Sequence, residues 1–514
     1  MTRLRRLLIA NRGEIAVRII RAARALGITP LAVYAPTDAT APHVALAAEA
    51  WPLPADPPAE SYLHIERLID IARTAGADAV HPGYGFLAEN PAFAKACTAA
   101  GLLFVGPSEE VLARCGDKVA AREAIAAAGV PVLPGTGAVD DAEAPSAAEP
   151  LGFPLLIKAV GGGGGKGIHL VEAAGQLPAA LRLARGEAVA AFGDPRLYLE
   201  KWLDTPRHVE VQILADGRGA VIHLGERECS VQRRHQKVIE ETPSPAVTPE
   251  LRARLGAAAV AAARAVGYVN AGTIEFLLQE DRFYCIEVNA RLQVEHPVTE
   301  MVTGWDLVAA QLGIAAGRPP ELRQDAVARR GHAVECRIGA EDPHHGFVPS
   351  IGVIEAVREP GGPGVRIDSG LTPGLAVSRH YDSLLAKVIA WGEDRDGALD
   401  RMAAALDEMV IAGVRTTLPF LRWAIEDQGF RSGAYDVRFA ERWDHRAVDP
   451  DALLRAVVAA ALWTHEARRR PAAAVTGPAA AVVESEWRRA ARRESVGEPE
   501  GSPGRRPDAA KGRR

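Results

Sequence analysis

The N-terminal part of the chain alternates between short apolar runs and stretches whose apolar residues recur with helical spacing. A strand begins at Arg6 and runs into a turn at Gly13, and the following residues have the spacing of a helix that ends at Gly27. The alternation continues with a predicted strand at Ile28 to Tyr34, a helix at Tyr62 to Ala75 and a strand at Ala77 to His81. Strands that alternate with helices predict a mostly parallel sheet.

The pattern changes to a period of two in the segment from Phe283 to Glu295, which predicts a strand with one buried face. The polar face of this strand carries Glu287, Asn289, Arg291, Gln293 and Glu295. Upstream, the segment from Gly272 to Gln279 is predicted to be its antiparallel partner. So many charges on one face of a hairpin indicate a binding role.

The predicted register places two carboxylates against each other. A three-residue turn centred on Asp281 pairs Gln279 with Phe283 and therefore places Glu275 directly across from Glu287. Facing like charges are destabilising unless a cation lies between them, and Mg²⁺ shared with the phosphates of a nucleotide suits carboxylate ligands. The alternative is a solvated hairpin whose charges face water, and a bulge would change the register.

A run of five glycines, Gly161 to Gly165, separates two predicted strands. The strand before it ends at Lys158, and Lys166 follows the glycines. Glycine lets backbone amides approach phosphates closely and the lysines supply opposite charge, so the segment is predicted to close over a bound nucleotide. It is not a P-loop, because neither Ser nor Thr follows Lys166. A flexible linker is the alternative.

Other segments complete the middle of the chain. Asp117 is predicted to cap a short helix, residues Asp140 to Pro150 to form an exposed connection, and Asp216-Gly217 to turn a hairpin. The charged segment from Glu226 to Lys237 is either an anion site or a solvated charge run. A long alanine-rich helix is predicted from Pro249 to Val266.

The C-terminal part is predicted to contain a region rich in short strands, then a helix and a disordered tail. A helix near Trp305 to Ala316 precedes a β-rich region that starts at Gly331 and contains a helix at Arg395 to Met409. Residues Asp449 to Arg469 have the spacing of an amphipathic helix. From Pro471 onward proline, alanine, arginine and glutamate dominate, which predicts a disordered tail.

Composition excludes several classes of protein. The chain has 514 residues, enough for two or three domains, and its net charge of -5 argues against a general nucleic-acid binder. Its five cysteines show no Cys-x-x-Cys spacing, so neither a zinc site nor a disulfide framework is predicted. No signal peptide or apolar span of about 18 residues is found, so we expect a soluble, cytoplasmic protein.

Five motifs together resemble one known family. They are Asn11-Arg-Gly-Glu-Ile15, His81-Pro-Gly-Tyr-Gly-Phe86, the glycine run, Gln232-Arg-Arg-His-Gln-Lys237 and Glu287-Val-Asn-Ala-Arg-Leu-Gln-Val-Glu-His-Pro-Val-Thr-Glu300. From about Leu7 to Trp443 the chain is similar to the biotin carboxylase subunits of biotin-dependent carboxylases, in the ATP-grasp superfamily. The resemblance implies a mixed α/β and α+β fold in three parts.

The implied domains follow the motifs along the chain. They are a Rossmann-like N-terminal (pre-ATP-grasp) domain at 1–116, an ATP-grasp domain at 117–328 with a glycine-rich lid at about 135–205, and a β-rich biotin carboxylase C-terminal domain at 329–445. A helical extension at 446–470 and a disordered tail at 471–514 are expected to follow. The extension and the tail have no counterpart in the compact family members.

The resemblance also implies roles for individual residues. Nucleotide and substrate binding is expected at Lys118, Lys158, Gly163, Gly164, Gly165, Lys166, Gly167, Glu200, Lys201, Leu203, His208, Gln232, His235, Gln293 and Val294. Metal binding is expected at Glu275, Glu287 and Asn289. Catalytic roles are expected for Lys237, Arg291, Glu295 as the base that deprotonates bicarbonate, and Arg337 as the cation that stabilises the biotin enolate.

The function implied is the ATP-dependent carboxylation of biotin. The expected substrates are ATP, bicarbonate and biotin on a carrier protein, and the expected metal is Mg²⁺ with Mn²⁺ as an alternative. None of the four methionines has an adjacent lysine, as a biotin carrier would, so a separate carrier protein and carboxyltransferase subunits are expected. A homodimer is implied, with acetyl-CoA, another acyl-CoA or pyruvate as the final acceptor. The competing hypotheses are another ATP-grasp ligase and a catalytically silent subunit.

Overall fold

The computed structural model describes residues 4–162 and 167–444, together with the single positions 458 and 461. The glycines and lysine at 163–166 therefore lie outside the described residues, and the prediction that this loop closes over a nucleotide stays a prediction. The predicted extension at 446–470, apart from those two positions, and the predicted tail at 471–514 also lie outside them.

The N-terminal region is a parallel sheet with helices, as the alternating pattern predicts. Its elements are β1 (Arg6–Ile9), α1 (Gly13–Ala25), β2 (Thr29–Tyr34), α2 (Pro42–Leu46), β3 (Glu49–Pro52), α3 (Ile65–Thr74), β4 (Ala79–His81), α4 (Pro91–Ala99), β5 (Leu103–Phe104) and α5 (Glu109–Gly116). The five strands pair in the order β3-β2-β1-β4-β5, all parallel. The central strand β1 is apolar on both faces, because helices cover both sides of such a sheet.

The middle region contains a small antiparallel sheet and the long hairpins. Its elements are α6 (Lys118–Ala127), β6 (Gly135–Val139), α7 (Ala144–Ala148), β7 (Leu155–Ala159), β8 (Ile168–Val171), α8 (Leu177–Phe192), β9 (Leu197–Lys201), β10 (Arg207–Ala215), β11 (Val221–Arg233), β12 (Gln236–Thr242), α9 (Pro249–Ala265), β13 (Asn270–Gln279), β14 (Arg282–Asn289), α10 (His296–Thr303) and α11 (Leu307–Ala315). Strands β6, β9, β7 and β8 form a four-stranded sheet in that order.

The C-terminal region is rich in short strands, as predicted. Its elements are β15 (His332–Gly339), β16 (Glu341–Asp342), β17 (Val348–Pro349), β18 (Gly352–Val353), β19 (Ala356–Arg358), β20 (Val365–Ser369), β21 (Ala376–Val377), β22 (Leu384–Gly392), α12 (Arg395–Glu408), β23 (Val410–Ala412), α13 (Leu418–Glu426) and α14 (Gln428–Arg431). Helices α12 and α13 pack with β22 around a core that includes Met402 and Phe420.

One eight-stranded sheet joins the middle and C-terminal regions. Its order is β14-β13-β10-β11-β12-β15-β22-β20, and the pairing of β12 with β15 carries the sheet across the predicted domain boundary near residue 328. Each neighbouring pair in it is antiparallel. A side chain on β12 or β15 can therefore contact groups from both regions.

Two predictions about local structure are wrong and a third is incomplete. The connection from Asp140 to Pro150 is largely exposed, as predicted, but it contains the short helix α7, in which Ala144 and Ala148 are buried. The polar strand does not continue to Glu295, because β14 ends at Asn289 and an irregular loop leads to α10 at His296. The turn of the central hairpin has two residues rather than three, since Gln279 pairs with Arg282.

The cap predicted at Asp117 is confirmed, because its side chain accepts a hydrogen bond from the Ala120 amide at 3.0 Å. Within the described part of the chain, no helix has the length and apolar character that a membrane span requires.

Candidate active site

A cavity of about 1360 Å³ lies between the N-terminal turn, the hairpins of the middle region and the C-terminal sheet. Its lining includes Asn11 and Tyr84 from the first region, Lys118 and Glu287 from the second, and Arg337 from the third. A cavity of this size, lined by many convergent charges, is the expected form of a site for a large polar substrate. The predicted site residues are therefore gathered from the whole of the described fold.

The central hairpin brings Glu275 and Glu287 directly opposite each other, as predicted. The cause differs from the prediction. The two-residue turn pairs Leu278 with Phe283, which moves the register by one residue, and a bulge at Ile286 moves it back, so that Glu275 faces Glu287 again. The bulge belongs to the site, because without it the two carboxylates would not share a position across the ladder.

Lys237 is the centre of the acidic cluster. Its Nζ lies 2.5 Å from Glu210 Oε2, 2.7 Å from Glu275 Oε1 and 2.7 Å from Glu295 Oε1. Burial alone would lower the pKa of Lys237, but the three carboxylates raise it well above its ordinary value. The side chain is therefore a fixed positive charge beside three buried acids.

Glu295 lies between two cations, Lys237 and Arg337. Its second oxygen, Oε2, lies 2.8 Å from Arg337 Nη2, and the same nitrogen lies 2.5 Å from Glu240 Oε1. Burial would raise the pKa of Glu295, but Lys237 and Arg337 hold it well below its ordinary range. Glu295 is fully buried and ionised at neutral pH.

The irregular loop after β14 is tied down by side chains rather than by a strand ladder. Arg291 donates from Nε to Glu89 Oε2 at 2.8 Å, from Nη1 to Gln293 Oε1 at 2.8 Å and from Nη2 to Asn289 Oδ1 at 2.9 Å. Glu89 also accepts from the Ala290 amide at 2.9 Å. The loop thus places Arg291 and Gln293 in the cavity lining although they do not lie on one strand. Glu295 is fully buried and reaches the lining through its contacts with Lys237 and Arg337.

Further basic side chains of the cavity lining are paired with acids or amides. Lys118 Nζ lies 2.6 Å from Glu287 Oε2, and Lys158 forms an ion pair with Glu200. His208 Nε2 lies 3.1 Å from Glu275 Oε2, and its Nδ1 lies 2.6 Å from Gln232 Nε2. Each basic side chain is in contact with an acid or amide that also lines the site or lies beside it.

His235 is placed by the turn between β11 and β12. Arg234 and His235 form its two central residues, and both have positive φ, at 48° and 63°. Burial lowers the pKa of His235, and the neighbouring Lys158 and His208 lower it further. His235 is therefore a neutral donor at the cavity wall at neutral pH.

Among the remaining predicted residues that the structure describes, some line the cavity and two, Glu200 and Gly167, do not; Glu200 is buried against Lys158, which does line it. Lys201, Leu203 and Val294 line it, and the Lys201 amide donates to the Pro134 carbonyl at 2.8 Å. Gly167 has a φ of 70°, which an L side chain rarely adopts. Gly163, Gly164, Gly165 and Lys166 lie outside the described residues.

Sequence reasoning missed the buried partners that hold the site together. Glu210 links Lys237 to Arg227, whose Nε lies 2.5 Å from Glu210 Oε1 and whose Nη1 donates to Gln212 Oε1 at 2.7 Å. Glu240 and Lys387 are also buried beside the site. For Glu210 and Lys387 the sequence does carry a signal, because each is a charge among apolar residues within β10 or β22, and a buried charge requires a partner. Glu240 lies in the polar strand β12, whose sequence gives no such signal.

The residues fit a divalent cation. Glu275, Glu287 and Asn289 supply hard oxygen donors, which Mg²⁺ prefers. The ammonium groups of Lys237 and Lys118 contact the two carboxylates, so the positive charge that the facing pair requires is present on both sides of it. A metal held with nucleotide phosphates satisfies the same requirement, because the phosphates offer the lysines alternative partners.

Three family models match successive parts of the chain. The model described as the N-terminal domain of biotin carboxylase matches residues 3–112, that of the ATP-binding domain of the carbamoyl-phosphate synthase L chain matches residues 117–323, and that of the biotin carboxylase C-terminal domain matches residues 335–442. Biotin carboxylase 1 of Bacillus subtilis is 49% identical over 445 residues, which cover 86% of this chain and 99% of that protein.

The chain belongs to the biotin carboxylase family. Members of this family are ATP-dependent ligases with an ATP-grasp domain. A pyruvate carboxylase subunit of Methanothermobacter thermautotrophicus is 47% identical, over 87% of this chain and 91% of that protein. The biotin carboxylase domain dimer of the 2-oxoglutarate carboxylase of Hydrogenobacter thermophilus, solved with MgADP, ADP and bicarbonate, has a TM-score of 0.84 and 45% identity, covering 86% of this chain and 98% of that one.

Proposed function

We propose that this chain carboxylates biotin on a separate carrier protein, with bicarbonate as the carbon source and ATP as the source of energy. The observation that carries the proposal is Glu295, a buried and ionised carboxylate held between Lys237 and Arg337 at 2.7 and 2.8 Å. Lys237 and Arg337 line the cavity together with Arg291 and Gln293, so the buried base is in direct contact with two of the cations that face the substrate space. Biotin carboxylation requires both a base and anion-binding groups.

The first half of the proposed reaction activates bicarbonate. Bicarbonate is a weak nucleophile and its carbon a weak electrophile, so an oxygen of bicarbonate attacks the γ-phosphorus of ATP, releasing ADP and forming carboxyphosphate. In this proposal Arg291, Gln293, Val294 and Lys237 bind the anion, and Glu295 accepts its proton. Lys118, Lys158, His208 and His235 bind the phosphates and spread the charge of the transferring group.

The metal is proposed to bind at Glu275, Glu287 and Asn289. Mg²⁺, or Mn²⁺ in its place, supplies Lewis-acid stabilisation of the phosphoryl oxygens when bound. Adenine is assigned to the segment from Glu200 to Leu203, and phosphate binding to Gln232 and the loop from Gly163 to Gly167. These assignments come from the motif match and are supported by Lys201, Leu203 and Gln232, which line one cavity.

The second half of the proposed reaction transfers the carboxyl group. Carboxyphosphate breaks down to CO₂ and phosphate, the phosphate removes the N1 proton of biotin, and N1 attacks CO₂. Arg337 stabilises the negative oxygen that develops on biotin. Its guanidinium is suited to this, because it has contacts with Glu240 and Glu295 that orient it at the cavity wall.

The proposed partners are a biotin carrier protein and a carboxyltransferase that passes the carboxyl group to acetyl-CoA or a related acyl-CoA. Pyruvate is the alternative acceptor, and relatives named for different acceptors have similar identity to this chain. This is expected, because the acceptor binds the carboxyltransferase. A homodimer is proposed because a similar domain was solved as a dimer. A cytoplasmic location and the domain limits at 116, 328 and 445 remain predictions.

Isotope transfer tests the proposed route. ATP cleavage in ¹⁸O-labelled bicarbonate, quenched before exchange with water, is expected to produce phosphate that contains one bicarbonate oxygen, because that oxygen forms the bond to phosphorus. In the variant Glu295→Gln, which lacks the proposed base, the amount of labelled phosphate is expected to fall at least roughly a hundredfold. Unlabelled phosphate from the wild-type chain means that water attacks ATP, and this contradicts the proposal.

A further inference from the structure

Lys387 is a fully buried lysine that lies behind the wall of the active site. It belongs to β22 and its side chain has no exposed surface. Its Nζ donates to the Val294 carbonyl at 2.7 Å, and it lies 3.1 Å from Glu14 Oε1 and 3.8 Å from Asp368 Oδ2. A buried ammonium is costly, so its partners must provide close compensation.

The three contacts of Lys387 come from three different parts of the fold. Glu14 lies in the first turn of α1 and also accepts a hydrogen bond from the Tyr84 hydroxyl. Asp368 lies on β20, directly across the ladder from Lys387. Val294 lies in the irregular loop between Gln293 and Glu295. One side chain therefore links the N-terminal turn, the C-terminal sheet and the active-site loop.

The contact to Val294 acts on the peptide that precedes Glu295. The Val294 carbonyl and the Glu295 amide belong to one planar unit, so a bond to the oxygen fixes the direction in which the amide points and where the Glu295 side chain begins. The loop is not part of a strand ladder, and α10 begins only at His296. A charge-assisted hydrogen bond is among the strongest means of fixing such a peptide.

We propose that Lys387 is a positioning residue that holds the Gln293-Val294-Glu295 segment in the geometry required for bicarbonate. The inference rests on the proposed function of that segment. Lys387 does not line the cavity, and its contact with the active-site loop is to the Val294 main chain, so it acts through the loop and not on the substrate. Its loss is expected to affect bicarbonate and to leave the nucleotide side of the cavity unchanged.

The size of the effect follows from the type of bond. A hydrogen bond from a charged group contributes about 1.5–3 kcal/mol, which corresponds to roughly a ten- to hundredfold change in an equilibrium or rate. The variant Lys387→Met keeps an unbranched side chain that is one atom shorter and removes the charge. We expect kcat/KM for bicarbonate to fall by this factor, while the KM for MgATP stays within about twofold of the wild-type value.

Removing Lys387 alone leaves Glu14 without its buried cation, so a second variant is needed. The double variant Lys387→Met/Glu14→Gln removes both charges and is expected to fold better and to show the same bicarbonate-specific loss. Arg401→Met is the matched control, because it also removes a cation bound to a main-chain carbonyl, that of Trp391, and it is not part of the cavity lining. Its KM values are expected to match those of the wild type.

The measurement is bicarbonate-dependent ADP release with each substrate varied in turn, together with hydrogen exchange of the amides at 290–295. A positioning role predicts a bicarbonate-specific kinetic loss and faster exchange in this segment. A merely structural role predicts unchanged KM values with a lower active fraction. Unchanged bicarbonate kinetics, an equal rise of both KM values, or unchanged exchange at 290–295 in the folded double variant overturns the inference. If the wild-type chain itself shows no bicarbonate-dependent ADP release, the proposed function fails; the exchange result still decides whether Lys387 orders the segment.

Discussion

Glu275 and Glu287 face each other across the central hairpin because two irregularities cancel. The two-residue turn at Glu280-Asp281 moves the register by one residue, and the bulge at Ile286 moves it back by one. Each carboxylate then contacts its own lysine, Glu275 with Lys237 at 2.7 Å and Glu287 with Lys118 at 2.6 Å. The two carboxylates are thus electrically compensated by lysines, and we propose that a metal binds beside them.

Replacing Glu287 by Gln tests the metal assignment. The substitution retains the shape of the side chain and removes its charge, so the fold is expected to persist. Mg²⁺-dependent turnover is expected to fall at least roughly a hundredfold, since charge neutralisation contributes a few kcal/mol to the barrier. The measurement is the steady-state rate of ADP release over a range of Mg²⁺ concentrations.

The matched control for this variant is Glu280→Gln, because Glu280 lies in the turn of the same hairpin and is exposed. It is expected to have wild-type turnover. Near-normal turnover of the Glu287 variant would show that the metal assignment is wrong.

The sequence predicted the alternating N-terminal region, the cap at Asp117 and the facing of Glu275 and Glu287 because these features depend on local spacing. The predicted pairing of the two carboxylates was correct, but it was derived from a three-residue turn without a bulge. A bulge cannot be recognised from an alternating pattern of polar and apolar residues. The predicted strand to Glu295 was wrong for a related reason. Arg291 is held by Glu89, which is 202 residues away in the chain, and such a partner replaces the ladder.

The charged segment from Glu226 to Lys237 contains residues in two different environments, which its sequence alone does not distinguish. An anion site and a solvated charge run were both compatible with its composition. In the structure Arg227 is fully buried and bound to Glu210 of the neighbouring strand, whereas Arg234 and His235 form the exposed turn at its end. One segment therefore contains both a buried ion-pair network and part of the cavity wall, and only the pairing of β10 with β11 distinguishes them.

The raised pKa of the Glu240 carboxyl predicts that the free energy of unfolding depends on pH. It is fully buried and lies across the ladder from Glu335, and burial raises its pKa from 4.5 to about 7. The pKa of Glu240 is higher in the folded than in the unfolded protein, so protonation of Glu240 favours folding. This contribution to the free energy of unfolding is fully present below about pH 4.5 and is lost as the pH rises through 7. The variant Glu240→Gln resembles the protonated form at every pH.

The measurement for Glu240 is the free energy of unfolding from pH 4.5 to 8 for the wild type and the Gln variant. The wild type is expected to lose stability relative to the variant as the pH rises, by as much as about 3 kcal/mol over the range. The variant Glu250→Gln is the control, because Glu250 is exposed in the first turn of α9. A difference that stays constant with pH contradicts the buried-acid assignment.

The proposed role of Arg337 predicts that its loss affects biotin carboxylation more than bicarbonate-dependent ATP cleavage. The variant Arg337→Met removes the cation proposed for the biotin oxygen, so biotin-stimulated ADP release is expected to fall at least roughly a hundredfold. Bicarbonate-dependent ATP cleavage without biotin is expected to change by less than about tenfold, since Arg291 and Lys237 remain. The control is Arg330→Met, whose side chain is 80% exposed. An equal loss in both reactions would mean that Arg337 acts only by holding Glu295.

The absence of a lysine beside any methionine predicts that this chain carries no biotin of its own. After expression with a biotin ligase, the purified chain is expected to give no signal with labelled avidin. A biotin carrier domain expressed with the same ligase is the positive control. Covalently bound biotin on this chain would refute the separate-carrier proposal.

The most direct test of the central claim is ADP release measured with bicarbonate and free biotin, each alone and both together. The account predicts that release depends on bicarbonate and is stimulated further by biotin, because Glu295 and Arg337 serve successive steps in one cavity. ADP release that ignores both compounds, or no release under any condition, would contradict it and favour another ATP-grasp ligase or a catalytically silent subunit.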